Sequence, residues 1–139
     1  MRIDELKIHN IVEYGGRICI VRAVYAQFSE DTPYVDLMVP TAIPRPRYCA
    51  QTAPITEIHA VPLTPSVLFQ LGFRETSDSA PGIGTYTYYE HTRWSIALTN
   101  VLASRNRYGV EGVELFATDK AHTLQNMVSL LIGESLQIV

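Results

Sequence analysis

Two consecutive glycines, Gly15 and Gly16, stand between two β-rich runs, Ile11-Val12-Glu13-Tyr14 and Arg17 through Tyr25. Such a pair suits a two-residue hairpin turn, which needs positive φ, and glycine adopts positive φ without steric cost. The signal commits residues 8 to 28 to antiparallel pairing and excludes helix between Arg17 and Tyr25. In the second run Ile18, Ile20 and Arg22 fall on one face, and Cys19, Val21, Ala23 and Tyr25 on the other. Both faces are largely apolar, so this strand is expected to be covered on two sides.

Short β segments with turn signals continue from there. Ser29 to Pro33 read as a turn and Tyr34 to Val39 as a strand. Pro40-Thr41-Ala42-Ile43-Pro44-Arg45-Pro46-Arg47-Tyr48 reads as an exposed loop or edge, because proline lacks the amide donor that a central strand needs. Thr56 to Val61 return as a strand. The pattern predicts a strongly bent small barrel over residues 8 to 60.

The second half mixes helix and strand. Thr64-Pro65 opens a helix, Val67, Leu68 and Leu71 give it an apolar face, and Gly72 closes it. Residues 77 to 84 read as a loop. Thr85–Glu90 and Arg93–Thr99 read as strands around a turn at His91-Thr92, with Trp94, Ile96 and Leu98 on one face. A polar turn over Ser104–Gly109 and a strand over Val110–Ala117 follow. The last helix is expected from Thr118 or Asp119 through Ile132, with Gly133 as its C-cap. Its apolar stripe is Leu124, Met127, Val128, Leu131 and Ile132. Leu136–Val139 is expected to add an edge strand. The fold class is α+β: one domain over 1–139, with a seam near Val61-Pro62 between a β part and a mixed part containing an antiparallel sheet and two helices.

Composition narrows the function classes. A length of 139 residues suits a single domain. The formal net charge of -3 argues against a dominant electrostatic attraction to nucleic acid, while leaving room for a local basic patch. The opening Met1-Arg2-Ile3-Asp4-Glu5-Leu6-Lys7 is charged and has no apolar signal core, and no apolar run is long enough to cross a bilayer. A cytoplasmic protein with reduced thiols and no membrane contact is expected. Cys19 and Cys49 lack metal-ligand spacing and read as ordinary buried small apolar residues.

No catalytic motif emerges. His9, His59, His91 and His122 have no local metal-ligand spacing. Cys49 has no nucleophile motif around it. Gly82-Ile83-Gly84 precedes a strand, not the helix N-terminus that a phosphate loop requires. No cofactor or metal is expected. The contact candidates are instead Arg45, Arg47 and Tyr48 in the proline-rich stretch, and Tyr86, Tyr88 and Tyr89 in an aromatic-rich hairpin with Trp94 beside it. Tyr86 and Tyr88 share one face and Tyr89 takes the other, so one face is core and the other a candidate surface. His122, Gln125, Asn126 and Ser129 line the polar side of the last helix. They read as a solvated face, or as amides that bond the edge of a neighbouring strand.

Three segments together carry a resemblance. They are Leu6-Lys7-Ile8-His9-Asn10-Ile11-Val12, the stretch Ile58 to Pro65 with Leu71-Gly72-Phe73, and His122-Thr123-Leu124-Gln125-Asn126 with Ile132-Gly133-Glu134. In this order the chain resembles a family of short, uncharacterised proteins of gut anaerobic bacteria and their prophages or mobile elements. The family pattern differs in carrying Tyr-Val-His before Leu-Gln-Asn, where this chain has Lys120-Ala121-His122-Thr123, and in a shorter segment at 40 to 54. The resemblance implies an SH3-like small barrel for the first part, and it implies no catalytic residue. The expected function is a non-catalytic binding or assembly module of a mobile element or phage, with a protein as its partner. The alternative is a small hydrolase or nucleic-acid-processing enzyme.

Overall fold

The computed structural model describes residues 1–25, 33–41, 47–82, 84–94, 96–102, 105–110 and 117–138. Gly15 and Gly16, at φ 59° and 75°, join β1 (Ile11–Tyr14) to β2 (Arg17–Tyr25). β2 pairs with β3 (Tyr34–Thr41), and β3 with β4 (Arg47–Pro54). A 3-10 turn over Ile55–Glu57 leads into the two-residue β5 (His59–Ala60), which returns to β1. The antiparallel sheet has the order β4-β3-β2-β1-β5.

One face of this sheet makes a first core. Val12, Cys19, Val21, Val35, Leu37, Val39 and Ala53 line it, and Leu6, Ile55 and Ile58 pack in from the turns. The register slips between Val21 and Ala23. An extra residue in one strand reverses the alternation beyond it. Val24, not Ala23, therefore packs on this core, and Tyr25 is exposed. From the opposite face Ile11, Ile18 and Ile20 enter a second core, so β2 is covered on both sides as expected. The expected closure into a barrel is not found. β4 and β5 form the two edges, and no pairing joins them among the described residues.

Thr64 caps α1 (Pro65–Gln70) by accepting the Val67 amide, and Gly72 leaves the helix at φ 93°. A second sheet follows in the order β6-β7-β8-β9: Phe73–Ala80, Gly84–His91, Ala97–Leu102 and Arg105–Val110. α2 (Ala121–Ile132) ends on Gly133 at φ 75°. The second core gathers Ile11 of the first sheet with Leu63, Leu68, Leu71, Phe73, Leu98, Leu124 and Val128. Trp94 and Ile96 pack on it, half-buried.

Several expectations are corrected. Residues 77–80 belong to β6, whose polar residues suit a strand exposed on both faces. β7 runs through His91, and β8 starts only at Ala97. Between them the His91 ring holds the turn, its Nδ1 accepting the Arg93 and Trp94 amides at 3.1 and 3.4 Å. The polar stretch 105–109 is in β9, while most of the strand expected over Val110–Ala117 lies outside the described residues. Residues 55–57 are a 3-10 turn, leaving only His59–Ala60 as strand.

Lys120, not Thr118 or Asp119, stands at the N-cap of α2. The Ala121 amide donates to the Val61 carbonyl at 2.9 Å, which satisfies the first helical amide without a side-chain cap. Its buried face is turned toward His122 and Gln125, which leaves Leu131 51% exposed. Residues 136–138 form no strand, because α2 takes both polar backbone groups of Leu136.

Candidate functional site

The polar side of α2 is not solvated. Gln125 is buried, and its Oε1 accepts the Ile11 amide at 2.8 Å. Its Nε2 donates to the His9 and Leu136 carbonyls, each at 2.9 Å. Asn126 Nδ2 donates to the Glu5 carbonyl, and Asn126 Oδ1 accepts from Asn10 Nδ2, both at 2.9 Å. Asn10 Oδ1 in turn accepts the Lys7 amide at 2.8 Å. These bonds clasp residues 5–11 to α2 and hold His9 at φ 76°, a left-handed conformation that a side chain rarely adopts. The N-terminal segment and α2 thus meet in one structural joint.

His122 lies beside the clasp at 2% exposure, with Nε2 3.5 Å from Glu5 Oε2. Its Nδ1 has no partner among the described residues. Burial pushes its pKa below the ordinary 6.5, and Glu5 opposes that shift. His91 is also lowered, chiefly by burial. Its Nε2 donates to the Leu71 carbonyl at 3.1 Å while Nδ1 accepts two amides, which fixes a neutral ring between Phe73 and Trp94.

A cavity of about 650 Å³ lies against His91, Arg93, Trp94, Glu134, Gln137 and Ile138. Both His91 nitrogens are engaged with backbone, and Arg93 stacks over the Trp94 ring at 5.3 Å. Neither His91 nitrogen is therefore free to act as a base in this cavity. Among the described residues no three His, Cys, Asp or Glu side chains gather as metal ligands. No helix there is long and apolar enough to cross a membrane.

The aromatic hairpin divides as its alternation implies. Tyr89 is buried in the second core, edge-to-face with Tyr108 at 5.5 Å, and so lies on the core face of the hairpin. Burial and Tyr89 push the Tyr108 phenol up to about 12. Tyr88 is half-buried, and Tyr86 occupies β7 opposite Asp78.

Of the proline-rich candidate, Pro40 and Thr41 end the inner strand β3, Arg47 and Tyr48 begin the edge strand β4, and residues 42–46 lie outside the described residues. Arg45 lies outside the described residues, and Arg47 opens β4 opposite Thr41. Tyr48 follows, 44% exposed, opposite Pro40. Cys49, Ala50, Gln51 and Thr52 are exposed as well, which corrects the expectation that Cys49 is buried. The ladder's phase is fixed at its end, where the Ile55 amide donates to the Pro33 carbonyl at 3.0 Å. Bonded and non-bonded pairs alternate from there along the unbroken register. Residues 49, 51 and 53 thus bond to β3, while Tyr48, Ala50 and Thr52 turn their amides and carbonyls outward. Pro40 falls in a non-bonded pair, so its missing amide costs the β3–β4 ladder nothing. Its carbonyl takes Arg17 Nη1 at 3.2 Å.

Side chains brace β4 without occupying its outer groups. Thr52 Oγ1 donates to Asp36 Oδ1 at 2.6 Å, and Gln51 Nε2 donates to the Tyr14 hydroxyl at 3.0 Å. The phase of the ladder and the open edge were beyond sequence reading; the signal that pointed there was the alternation Tyr48, Ala50, Thr52 after the prolines. The chain matches no protein-family model, no curated protein and no solved structure, so any function must be argued from this site itself.

Proposed function

We propose that the chain is a non-catalytic binding or assembly module that docks a protein partner by adding a strand to β4. The observation that carries this reading is the outward row of backbone groups at Tyr48, Ala50 and Thr52 on an exposed, unbulged edge strand. Main-chain groups in such a row pair with any extended segment, and side chains beside them set the preference. Tyr48 offers an aromatic contact of the kind enriched where partners bind. Arg45 and Arg47 stand at the same end of the strand in sequence, as a secondary contribution. The net charge of -3 disfavours nucleic acid as the partner.

In keeping with the family resemblance, the setting we infer is the assembly of a phage or mobile element in the cytoplasm. The SH3-like reading of residues 8–60 is supported by the order β4-β3-β2-β1-β5 and by the 3-10 turn ahead of β5. The test is a pull-down from the native host with neighbouring genes expressed, comparing the natural chain with Ala50→Lys. A lysine on an edge strand discourages strand addition. Retention of a partner should fall at least tenfold, a loss of about 1.4 kcal/mol or more. An unaltered partner set ends this reading.

A further inference from the structure

We infer that the segment completing this edge is β4 of a second copy of the chain, an inference that rests on the strand-addition reading. The row is self-complementary. Its three outward residues are symmetric about Ala50. A two-fold axis through Ala50 sets Tyr48 opposite Thr52 of the second copy, Ala50 opposite Ala50, and Thr52 opposite Tyr48. Every outward amide and carbonyl of the three residues then meets a partner in a bonded pair. Shifting the register by two residues leaves one of the three facing nothing in the row.

Side chains agree with this register. Tyr48 against Thr52 is an aromatic on a β-branched residue, a favourable cross-strand pair. Ala50 against Ala50 brings the backbones together without crowding. Cys49 falls opposite Gln51 of the second copy in a non-bonded pair. No charged residue lies between Tyr48 and Thr52, so no like charges oppose across the two-fold. The interface is isologous, and such an interface closes as a dimer.

The experiment uses the full chain. Sedimentation equilibrium over a concentration series should show a monomer–dimer equilibrium. Ala50→Pro removes an outward amide and leaves the β3 ladder intact, since proline is tolerated on an edge where its nitrogen faces solvent. It should weaken association at least tenfold with little change in melting temperature. Register is read separately with Gln51→Cys. That substitution sets the introduced thiol opposite Cys49 of the second copy at a Cα separation of about 4.5 Å, within disulfide reach. Mild oxidation should give a covalent dimer in which Cys49 of each copy is linked to the introduced thiol of the other, found by mass spectrometry.

A monomer at every concentration, a dimer indifferent to Ala50→Pro, or links in any other pairing would each overturn the self-pairing. If the natural chain is monomeric and Ala50→Pro loses a captured host protein, self-pairing falls and the module reading stands. If it is monomeric and Ala50→Pro changes no captured protein, both fall.

Discussion

The two sheets each end in a hairpin whose outer strand is exposed, and those two strands are dressed in opposite ways. β6, Phe73–Ala80, carries Arg74, Glu75 and Asp78. Asp78 Oδ1 accepts the Ser79 amide at 2.8 Å, so a side chain occupies that backbone donor. β4 carries Tyr48, Cys49, Ala50, Gln51 and Thr52, with no charge among them and no bulge. Charges, bulges and covered amides are the usual ways of stopping one sheet from adding another. The remaining edges are short or covered. β5 has two residues, and Tyr108 of β9 exchanges backbone bonds with Thr118 at 2.8 and 3.0 Å. Among the described residues, the stretch Tyr48–Thr52 of β4 lacks such protection, and it is there that strand addition is proposed.

Both hairpins ride on one frame, and Gln125 is the place to break it. Gln125→Ala strands the Ile11 amide and the His9 and Leu136 carbonyls. With about 1–3 kcal/mol for each of these three buried groups, the loss should be at least about 3 kcal/mol. Leu124→Ala, fully buried beside it, should cost about 2–5 kcal/mol. Denaturant melts check both. Gln125→Glu, which turns an oxygen onto two carbonyls, should be no milder than Gln125→Ala. A stable Gln125→Glu would mean that the clasp is not the joint.

How far the sequence could have led is visible at the same points. The Gly15-Gly16 hairpin, the Thr64 cap and the Gly133 stop were legible because each is a local requirement met by few residue types. β6 was not, because Thr, Ser and Asp are loop residues unless a paired strand holds them, and that partner lies beyond a turn. Pro40 argued against a strand, yet only the ladder's phase decides whether a proline costs a bond. The polar α2 residues left two readings open, a solvated face or amides bonding a neighbouring strand, because their partners, near residues 5–11, are distant in sequence; Gln125 on Ile11 of β1 is the second. The same blindness held for the aromatic hairpin: nothing local in the sequence shows which face of β7 is core, and Tyr89 lies on it.

Exchanging the dress of the two edges sharpens the comparison directly. Ala50→Lys should weaken association at least tenfold, about 1.4 kcal/mol, with the melting temperature nearly unchanged, since Ala50 is exposed. The reverse change, Arg74→Thr with Glu75→Thr and Asp78→Thr, should create new self-association on β6. Light scattering at matched concentration reads both. If β6 stays monomeric when stripped, charge is not what protects it.

Acid tests the frame rather than the edges. His91 and His122 are both lowered by burial, so the unfolded chain binds their protons more readily than the folded one. Stability rises with pH wherever that holds. Their contribution is complete above the ordinary value of 6.5 and is lost as pH falls from there through the folded values. Melts from mildly alkaline to mildly acidic pH, across that value, should show this decline, and His122→Leu should flatten part of it. A melting temperature independent of pH across that window would show that neither ring is held neutral by the fold.

The smallest effect concerns the guard of β6. Arg74 places its guanidinium 4.0 Å from the Phe69 ring centroid and donates to the Phe73 carbonyl at 3.2 Å. Phe69 is otherwise one of the large exposed apolar side chains, at 57%. The arginine thus does two things: it shields an aromatic at the end of α1, and it charges the edge beside it. Arg74→Ala should cost about 0.5–1 kcal/mol, the range of an exposed cation–π contact. Arg74→Lys should recover part of it, because an ammonium keeps the charge while losing the planar stacking. If shielding matters more than charge, Arg74→Ala should promote association through Phe69 that Phe69→Ser reverses. If charge on the edge is the protection, Arg74→Ala should stay monomeric while Glu75 and Asp78 remain, and the contrast with the uncharged stretch Tyr48–Thr52 then stands on electrostatics alone.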